Sequence, residues 1–204
     1  MTEADLLESL QAKGAVMRGH FRLSSGRHSD TFVQKFRLFE DPVATVRAGE
    51  MLAARWPEGF DVVAAPAVGA VVFGFATALA AGARSIFSER VDGEMSFRRG
   101  FDISAGERVL VVEDVVTTGG SAAEVVQLAA RTGGSVVWVG ALVDRVDPSR
   151  QPLGASLRAL ITLEAESWDP EQCPLCAAGA PIDDPGSRRL GGENRAYNPP
   201  RPTP

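Results

Sequence analysis

Residues 108–121, RVLVVEDVVTTGGS, join an apolar run to two adjacent carboxylates and then to a turn of hydroxyl and glycine residues. Glycines let a backbone approach an anion closely, and the free N–H groups at the start of a helix, with the helix dipole behind them, favour a phosphate. Glu113 and Asp114 can accept hydrogen bonds from vicinal sugar hydroxyls and stabilise positive charge on the sugar ring. An ordinary turn with exposed acids is the alternative, but the whole run favours a site for a sugar phosphate.

The surrounding sequence predicts the strands and helices that would position these residues. Short apolar runs alternate with segments of helical spacing, which indicates an α/β fold with a central, mostly parallel sheet flanked by helices on both faces. We predict strands at residues 61–65, 85–88, 108–112, 135–143 and 157–163, and helices at residues 2–11, 42–56, 69–81 and 121–132. Ligands of such folds gather at the carboxyl ends of the strands, which is where residues 113–121 would lie.

Local signals mark the ends of several elements. Thr2 with Asp5 forms a capping-box pattern, and Asp41 is the expected N-cap of the second helix. Ser121 is the expected N-cap of the last helix, and the helix at residues 69–81 is expected to be buried. The polar stretch at residues 88–106 predicts a mobile loop or a hairpin.

The composition excludes several classes of protein. A formal net charge of −5 gives no broad basic surface for a nucleic-acid partner. The longest apolar stretch, residues 68–81, is interrupted by glycines and too short to span a bilayer. The N-terminus lacks the charge and apolar pattern of a signal peptide, so a cytoplasmic protein without a membrane partner is expected. Two cysteines are too few for a disulfide framework.

Residues 108–121 resemble the phosphoribosyl diphosphate signature of the type I phosphoribosyltransferases, and the resemblance extends over about residues 1–165. The segment FRLSSGRHSDTFVQK, within which Ser25 to Ser29 is the most specific part, is similar to the base-binding hood of the orotate phosphoribosyltransferases and predicts a hairpin. Three further segments are similar to the pyrophosphate-side loop, the flexible catalytic loop and a strand end of the same enzymes: VAAPAVGAVVFG, FSERVDGEMSFRRGF and LVDR. A later CPLC…PGSR pattern occurs in one subgroup of them.

The resemblance implies transfer of ribose 5-phosphate from 5-phosphoribosyl 1-diphosphate to orotate in pyrimidine biosynthesis, with Mg²⁺ as cofactor held mainly by the substrate. The implied catalytic residues are Asp114, Glu113 and Arg99. The implied ligands of phosphoribosyl diphosphate are Glu113, Asp114, Val115, Val116, Thr117, Thr118, Gly119, Gly120, Ser121 and Arg90. The implied ligands of orotate are Thr117, Arg145, Ser25, Gly26 and Arg27.

The chain departs from the family pattern where many members carry lysine. Gly69 and Ser24 stand at two such positions, and the segment after Ser88 contains neither Lys nor His. The cations left to meet the pyrophosphate charge are Arg90, Arg98 and Arg99, with Arg27 or Lys35 as further candidates.

We expect one phosphoribosyltransferase domain over residues 1–185, followed by a flexible tail at 186–204. Within the domain, a hood at about 1–40 precedes a core at about 41–165 and a C-terminal appendage at 166–185. The family resemblance implies a homodimer with a shared active site. Two alternatives are a transferase that acts on another base and a non-catalytic regulator that senses phosphoribosyl diphosphate.

Four further residues could do chemistry. His20 and His28 are interpreted as surface or hairpin histidines, because two histidines without an acidic cluster do not make a metal site. Cys173 and Cys176 form a single CxxC, which supplies only two of the four ligands of a structural zinc. A plain turn is the favoured interpretation, and a labile disulfide or a zinc site completed by another subunit remains open.

Overall fold

A six-stranded sheet organises the larger part of the chain in a computed structural model, which describes residues 2–23, 25–146 and 150–185. The strands are β1 (Val16–Arg22), β2 (His28–Val33), β3 (Val62–Pro66), β4 (Arg84–Val91), β5 (Glu94–Phe97), β6 (Arg108–Val116), β7 (Ser135–Arg145), β8 (Leu157–Leu163) and β9 (Ser167–Trp168). The helices are α1 (Glu3–Ala12), α2 (Phe36–Phe39), α3 (Pro42–Ala53), α4 (Val71–Ala81), α5 (Gly120–Arg131) and α6 (Pro174–Ala177), with a 3₁₀ turn at Pro170–Gln172.

The chain divides into two units. The first comprises Met1–Met17 and Val33–Ala165, and the second comprises Arg18–Phe32 and Glu166–Pro204. The second unit therefore combines part of the predicted hood with the predicted C-terminal appendage. The predicted flexible tail at 186–204 lies outside the described residues.

The sheet of the first unit has the order β5-β4-β3-β6-β7-β8. Neighbouring strands are parallel from β4 to β8, and β5 pairs antiparallel with β4. This arrangement confirms the predicted mostly parallel sheet. No helix within the described ranges is long and apolar enough to cross a bilayer.

Alternate residues of β6 enter two hydrophobic clusters, as expected for a strand whose side chains point to opposite faces. Leu110 and Val112 belong to the cluster that includes Leu52 of α3 and Phe73 of α4. Val109 and Val111 belong to the cluster that includes Val125 of α5 and Val139 of β7. Helices thus cover both faces of the sheet, and β6 lies at its centre.

Several predicted boundaries hold and others are wrong. Thr2 and Asp5 form the predicted capping box, and the Asp41 side chain caps α3, but α3 ends at Ala53 rather than at residue 56. Ser121 is not the N-cap of α5, because Gly119 occupies that position with a positive φ of 81°. The stretch at 88–106 contains a hairpin, since β4 continues to Val91 and pairs with β5.

The helix predicted to be buried, α4, buries only one side. Its residues Val72, Phe75 and Leu79 are 44%, 59% and 60% exposed. The spacing of these residues places them on one face of the helix. An apolar stripe therefore remains on the surface of the first unit.

The second unit contains most of a small sheet in the order β1-β2-β9. The Leu23 N–H donates to the Arg27 carbonyl at 2.8 Å and closes the turn between β1 and β2. His28 of β2 pairs with Trp168 of β9 in antiparallel register. The predicted hairpin is confirmed, with β1 beginning earlier than the sequence indicated.

Candidate functional site

Two buried carboxyls lie near the carboxyl end of β6. Glu113 and Asp114 are only 8% and 6% exposed, so the alternative of exposed acids at an ordinary turn is wrong. The Asp114 N–H donates to Glu113 Oε1 at 3.1 Å, and the Val115 N–H donates to Asp114 Oδ1 at 2.5 Å. Local backbone bonds therefore fix the orientation of both side chains.

The two carboxyls have different electrostatic surroundings. Burial raises the pKa of Glu113 well above its usual range, and the charge of Asp114 adds to the rise. Asp114 faces a cation, because Lys35 Nζ lies 3.3 Å from its Oδ2. The pair therefore offers one carboxyl that favours its neutral form and one carboxylate held in an ion pair.

Gly69 leaves the space in which this ion pair sits. A Cβ at residue 69 would lie 2.0 Å from Asp114 Oδ2 and 3.3 Å from Lys35 Cε. Any side chain there would displace both groups. Gly69, where many family members carry lysine, therefore lies directly beside the ion pair of Lys35 and Asp114.

The loop after β6 leads directly into the N-terminus of α5. Gly119 adopts a left-handed conformation, and a Cβ there would lie 2.3 Å from Leu153 Cδ2. The Gln151 N–H donates to the Thr118 carbonyl at 2.9 Å and holds the loop from the other side. The first N–H groups of α5 have no partner within the helix, so the loop can present them to an anion.

Arg150 is a site residue that the sequence interpretation missed. Its Nε donates to the Thr117 carbonyl at 3.3 Å, and its Nη2 donates to the Arg145 carbonyl at 2.9 Å. Both of its terminal nitrogens also bond the Asp144 carboxylate, Nη1 at 3.1 Å. Arg150 therefore ties the loop after β6 to the end of β7. No contiguous motif signals such a contact, because it joins residues from separate segments.

Arg145 is the last residue of β7, as the sequence predicted. Val116 of β6 pairs with Asp144, so the parallel register puts Arg145 level with Thr117. Arg145 is 3% exposed, and a ligand reaches its guanidinium only if the covering groups shift.

Two arginines of the β4–β5 region, Arg90 and Arg99, form ion pairs with carboxylates in this conformation. Arg99 makes two bonds to Glu89, at 2.8 and 3.0 Å, and the Glu89 pKa is lowered mainly by these hydrogen bonds. Arg90 Nη2 lies 2.7 Å from Glu124 Oε2 of α5. Either arginine must leave its carboxylate before it can bind pyrophosphate.

Comparison with known proteins shows the family. No family model matches the chain. The orotate phosphoribosyltransferase of Desulforamulus reducens is 42% identical to it over 191 residues, covering 93% of this chain and 100% of the relative. That of Thermotoga maritima is 46% identical over 185 residues, covering 90% and 98%. The chain belongs to the orotate phosphoribosyltransferase family.

Solved structures agree with this membership. An orotate phosphoribosyltransferase from Aeropyrum pernix superposes with a TM-score of 0.65 at 27% identity, covering 78% of this chain and 94% of that one. An adenine phosphoribosyltransferase from Saccharomyces cerevisiae, at 21% identity and a TM-score of 0.62, shares the fold alone and covers 77% and 99%. The predictions of a type I phosphoribosyltransferase fold and of a phosphoribosyltransferase enzyme are confirmed.

Most of the hood-like segment of this orotate phosphoribosyltransferase family member, up to Phe32, belongs to the second unit. Ser25 and Gly26 are exposed in the turn between β1 and β2. Arg27 makes bonds to Ser167 Oγ and the Ser167 carbonyl, and its Nη1 donates to Asp169 at 2.6 Å. Its guanidinium thus holds the second unit together in this conformation, and its predicted contact with orotate would compete with these bonds.

The second unit also gathers residues that the sequence interpretation kept apart. His20 and His28 lie on the two strands of the predicted hairpin, but they are only 5% and 7% exposed, so they are not surface residues. Their ring nitrogens lie beside the sulfurs of Cys173 and Cys176, and the four ligand atoms are all within 4.8 Å of one another. The sequence signal was the single CxxC, in a chain that contains two histidines and two cysteines in all.

Proposed function

We propose that the chain converts orotate and 5-phosphoribosyl 1-diphosphate into orotidine 5-phosphate and diphosphate. The bond between ribose C1 and diphosphate breaks, and the diphosphate leaves with the bonding electron pair. A ring nitrogen of orotate bonds to C1 and releases its proton to solvent or to the departing diphosphate. The acid pair of β6 followed by the glycine loop and α5 is the observation that carries this proposal, because it offers sugar and phosphate ligands in one continuous segment. Family membership specifies orotate as the base.

In the proposed mechanism, Glu113 and Asp114 act on the ribose. As the C1–diphosphate bond weakens, positive charge grows on the ribose ring, and the Asp114 carboxylate stabilises it electrostatically. A neutral Glu113 can donate a hydrogen bond to a ribose hydroxyl, and Asp114 can accept one. The backbone bonds that already orient both side chains reduce the reorganisation needed during the reaction.

The loop from Val115 to Ser121 is the proposed 5-phosphate site. Its amides at the start of α5 and the hydroxyls of Thr117, Thr118 and Ser121 are suitable donors to phosphate oxygens. Gly119 must remain free of a side chain because of Leu153, and Arg150 binds the Thr117 carbonyl. The phosphate would thereby anchor the ribose next to the acids.

We propose that Lys35 replaces one of the lysines that this chain lacks. Its ammonium reaches Asp114 through the space that Gly69 leaves open. When the substrate's hydroxyls and phosphates arrive, Lys35 can move its charge toward the diphosphate while still near Asp114. Arg90, Arg98 and Arg99 remain further candidates, and the planar guanidinium of arginine suits bidentate contact with diphosphate oxygens.

Mg²⁺ fits this site only in part. Hard oxygen ligands suit it, and Asp114 and Glu113 are the carboxyls at hand, but both are nearly buried and Glu113 favours its neutral form. Mg²⁺ therefore would be held mainly by diphosphate and ribose oxygens, with Asp114 as the protein contact. When bound, it would neutralise charge on the leaving diphosphate.

Orotate would contact Thr117 and Arg145. These residues stand level with each other at the ends of β6 and β7, and the Arg145 guanidinium is complementary to the orotate carboxylate. Ser25 and Gly26, with exposed positions in their turn, remain predicted ligands of the base. Arg27 is better suited to holding the second unit together.

We also propose a homodimer that forms through the apolar face of α3 and α4. The apolar residues of α3 and α4 that are exposed by more than a third are Val43, Val46, Val72, Phe75 and Leu79, and the exposed Val68 lies in the loop just before α4. Val68 precedes Gly69, so a second copy seated on this face would lie close to the acid pair, in keeping with the shared site that the family implies. Phe75→Asp should shift the sedimentation of the protein to that of a monomer, and Phe75→Leu should not. An unchanged dimer in Phe75→Asp would exclude this face.

A spectrophotometric assay tests the activity directly. Orotate absorbance should fall only when both phosphoribosyl diphosphate and Mg²⁺ are present, with diphosphate formed in equal amount. If phosphoribosyl diphosphate binds without any turnover of orotate or another base, the chain is instead a sensor of that compound.

A further inference from the structure

Two histidines and two cysteines converge in the second unit. His20 Nε2 lies 3.2 Å from His28 Nδ1 and 3.4 Å from Cys173 Sγ. Cys176 Sγ lies 3.6 Å from His20 Nε2 and 3.2 Å from His28 Nδ1. Within the described ranges, no other group of three or more His, Cys, Asp and Glu side chains is placed to hold a metal ion.

These distances match the edges of a tetrahedral zinc site. Zn–S and Zn–N bonds of about 2.3 and 2.0–2.1 Å imply edges of about 3.3 Å between nitrogens and about 3.5 Å between nitrogen and sulfur. The nitrogen–nitrogen edge is 3.2 Å, three of the four nitrogen–sulfur edges run from 3.2 to 3.6 Å, and all four ligand atoms lie within 4.8 Å of one another. A two-sulfur, two-nitrogen tetrahedron is a donor set that selects zinc.

The histidine that forms the centre of the cluster is already oriented for a metal. His20 Nδ1 lies 2.9 Å from the Ala180 carbonyl, so it carries the proton and donates it to that oxygen. The lone pair of Nε2 is then free on the side that faces both sulfurs. A ligating histidine is commonly held in this way by a carbonyl on its other nitrogen.

The small second unit has too little apolar core to be stable without a further cross-link. Neither hydrophobic cluster includes a described residue of this unit, and its buried apolar side chains are Phe21, Leu23 and Cys173. β9 has two residues and α6 has four, which is too little to be stable alone. Small units without a sufficient core are commonly held by disulfides or metals.

We infer that His20, His28, Cys173 and Cys176 bind one structural Zn²⁺ ion within a single chain. Two thiolates balance the charge of the ion, and the two neutral imidazoles complete the four ligands. The ion links the β1–β2 hairpin, which carries Ser25 to Arg27, to the segment that begins at Cys173. No second subunit is needed, because all four ligands come from this chain.

The test uses the full-length chain without a histidine tag, purified without added metal. Elemental analysis should give one zinc per chain, and replacement by Co²⁺ should give the visible spectrum of a tetrahedral ion with a near-ultraviolet thiolate charge-transfer band. That band must arise at this site, since the chain has no other cysteines. Protein that retains no zinc and gives no such band with Co²⁺ would overturn the inference. So would a mass two hydrogens lower, which signifies a disulfide.

Variants locate the ligands. Cys176→Ser should lose zinc and the charge-transfer band, whereas Glu171→Gln, which removes a carboxylate next to the motif, should keep both. If Cys176→Ser does not fold, the wild-type zinc content and cobalt spectrum still decide the matter. Retention of one zinc and of an unchanged cobalt spectrum in Cys176→Ser would contradict the ligand set.

Discussion

The acid and phosphate region of the first unit and the histidine–cysteine cluster of the second unit differ in how the sequence encodes them. The first is one continuous run, in which a strand, its acids, a glycine loop and a helix follow in order. The second joins two distant segments: Cys176 lies 148 positions from His28, and Cys173 lies 153 positions from His20. Local sequence therefore predicts chemistry where one strand and one turn build the site, and fails where the fold brings distant segments together.

We expect the acid and phosphate region to govern the reaction and the histidine–cysteine cluster to stabilise the β1–β2 hairpin. Asp114→Asn keeps the shape of the side chain and removes the charge beside the ribose. We expect turnover to fall roughly 100-fold, the scale for loss of one preorganised electrostatic group. Turnover within a factor of two of the wild type would remove Asp114 from the ribose site.

Lys35 lies outside residues 108–121, yet its ammonium contacts Asp114. Variants of Lys35 test whether this cation belongs to the acid and phosphate region. Lys35→Met should lower kcat/KM about 10-fold, as expected when one charge-assisted contact is lost. Lys35→Arg retains the charge and should recover most of the activity. Equal loss in both variants would mean that Lys35 acts through packing rather than through its charge.

Removal of zinc should affect the two substrates differently. After treatment with a zinc-selective chelator and addition of Mg²⁺, KM for orotate should rise several-fold while KM for phosphoribosyl diphosphate changes less, because Ser25 to Arg27 lie on the hairpin that the ion would hold. Restoring Zn²⁺ should reverse the change. Equal effects on both substrates would contradict this division of roles.

The smallest expected effect is a contribution of Glu113 to the pH dependence of the unfolding free energy. Its pKa in the folded protein is raised above its ordinary value of 4.5, so its contribution to stability is fully present below that value and is lost as pH rises through the folded pKa. Glu113→Gln cannot ionise and escapes this loss. The unfolding free energy of the variant relative to the wild type should therefore increase between about pH 5 and pH 8 in urea titrations. A constant difference would show that Glu113 has no raised pKa.

Particular residues show the limits of prediction from sequence. The strand that leads into the acids and the helix after them were predictable, because period and glycine content are local properties. Two boundaries were wrong: β6 continues through both acids to Val116, and Gly119 rather than Ser121 caps α5, where Leu153 leaves no room for a side chain. Arg150, the contact of Lys35 with Asp114, and the burial of His20 were not predictable. Each depends on a partner from another segment, and no spacing rule encodes it.

The most direct test of the account is base selectivity in one assay. With phosphoribosyl diphosphate and Mg²⁺ fixed, we predict that the wild-type enzyme consumes orotate far faster than uracil, which lacks the carboxylate that Arg145 would bind. Sites built for a charged or hydrogen-bonded group strongly reject analogues without it. Equal turnover of orotate and uracil would contradict the assignment of the base site, and turnover of neither would contradict the proposed activity.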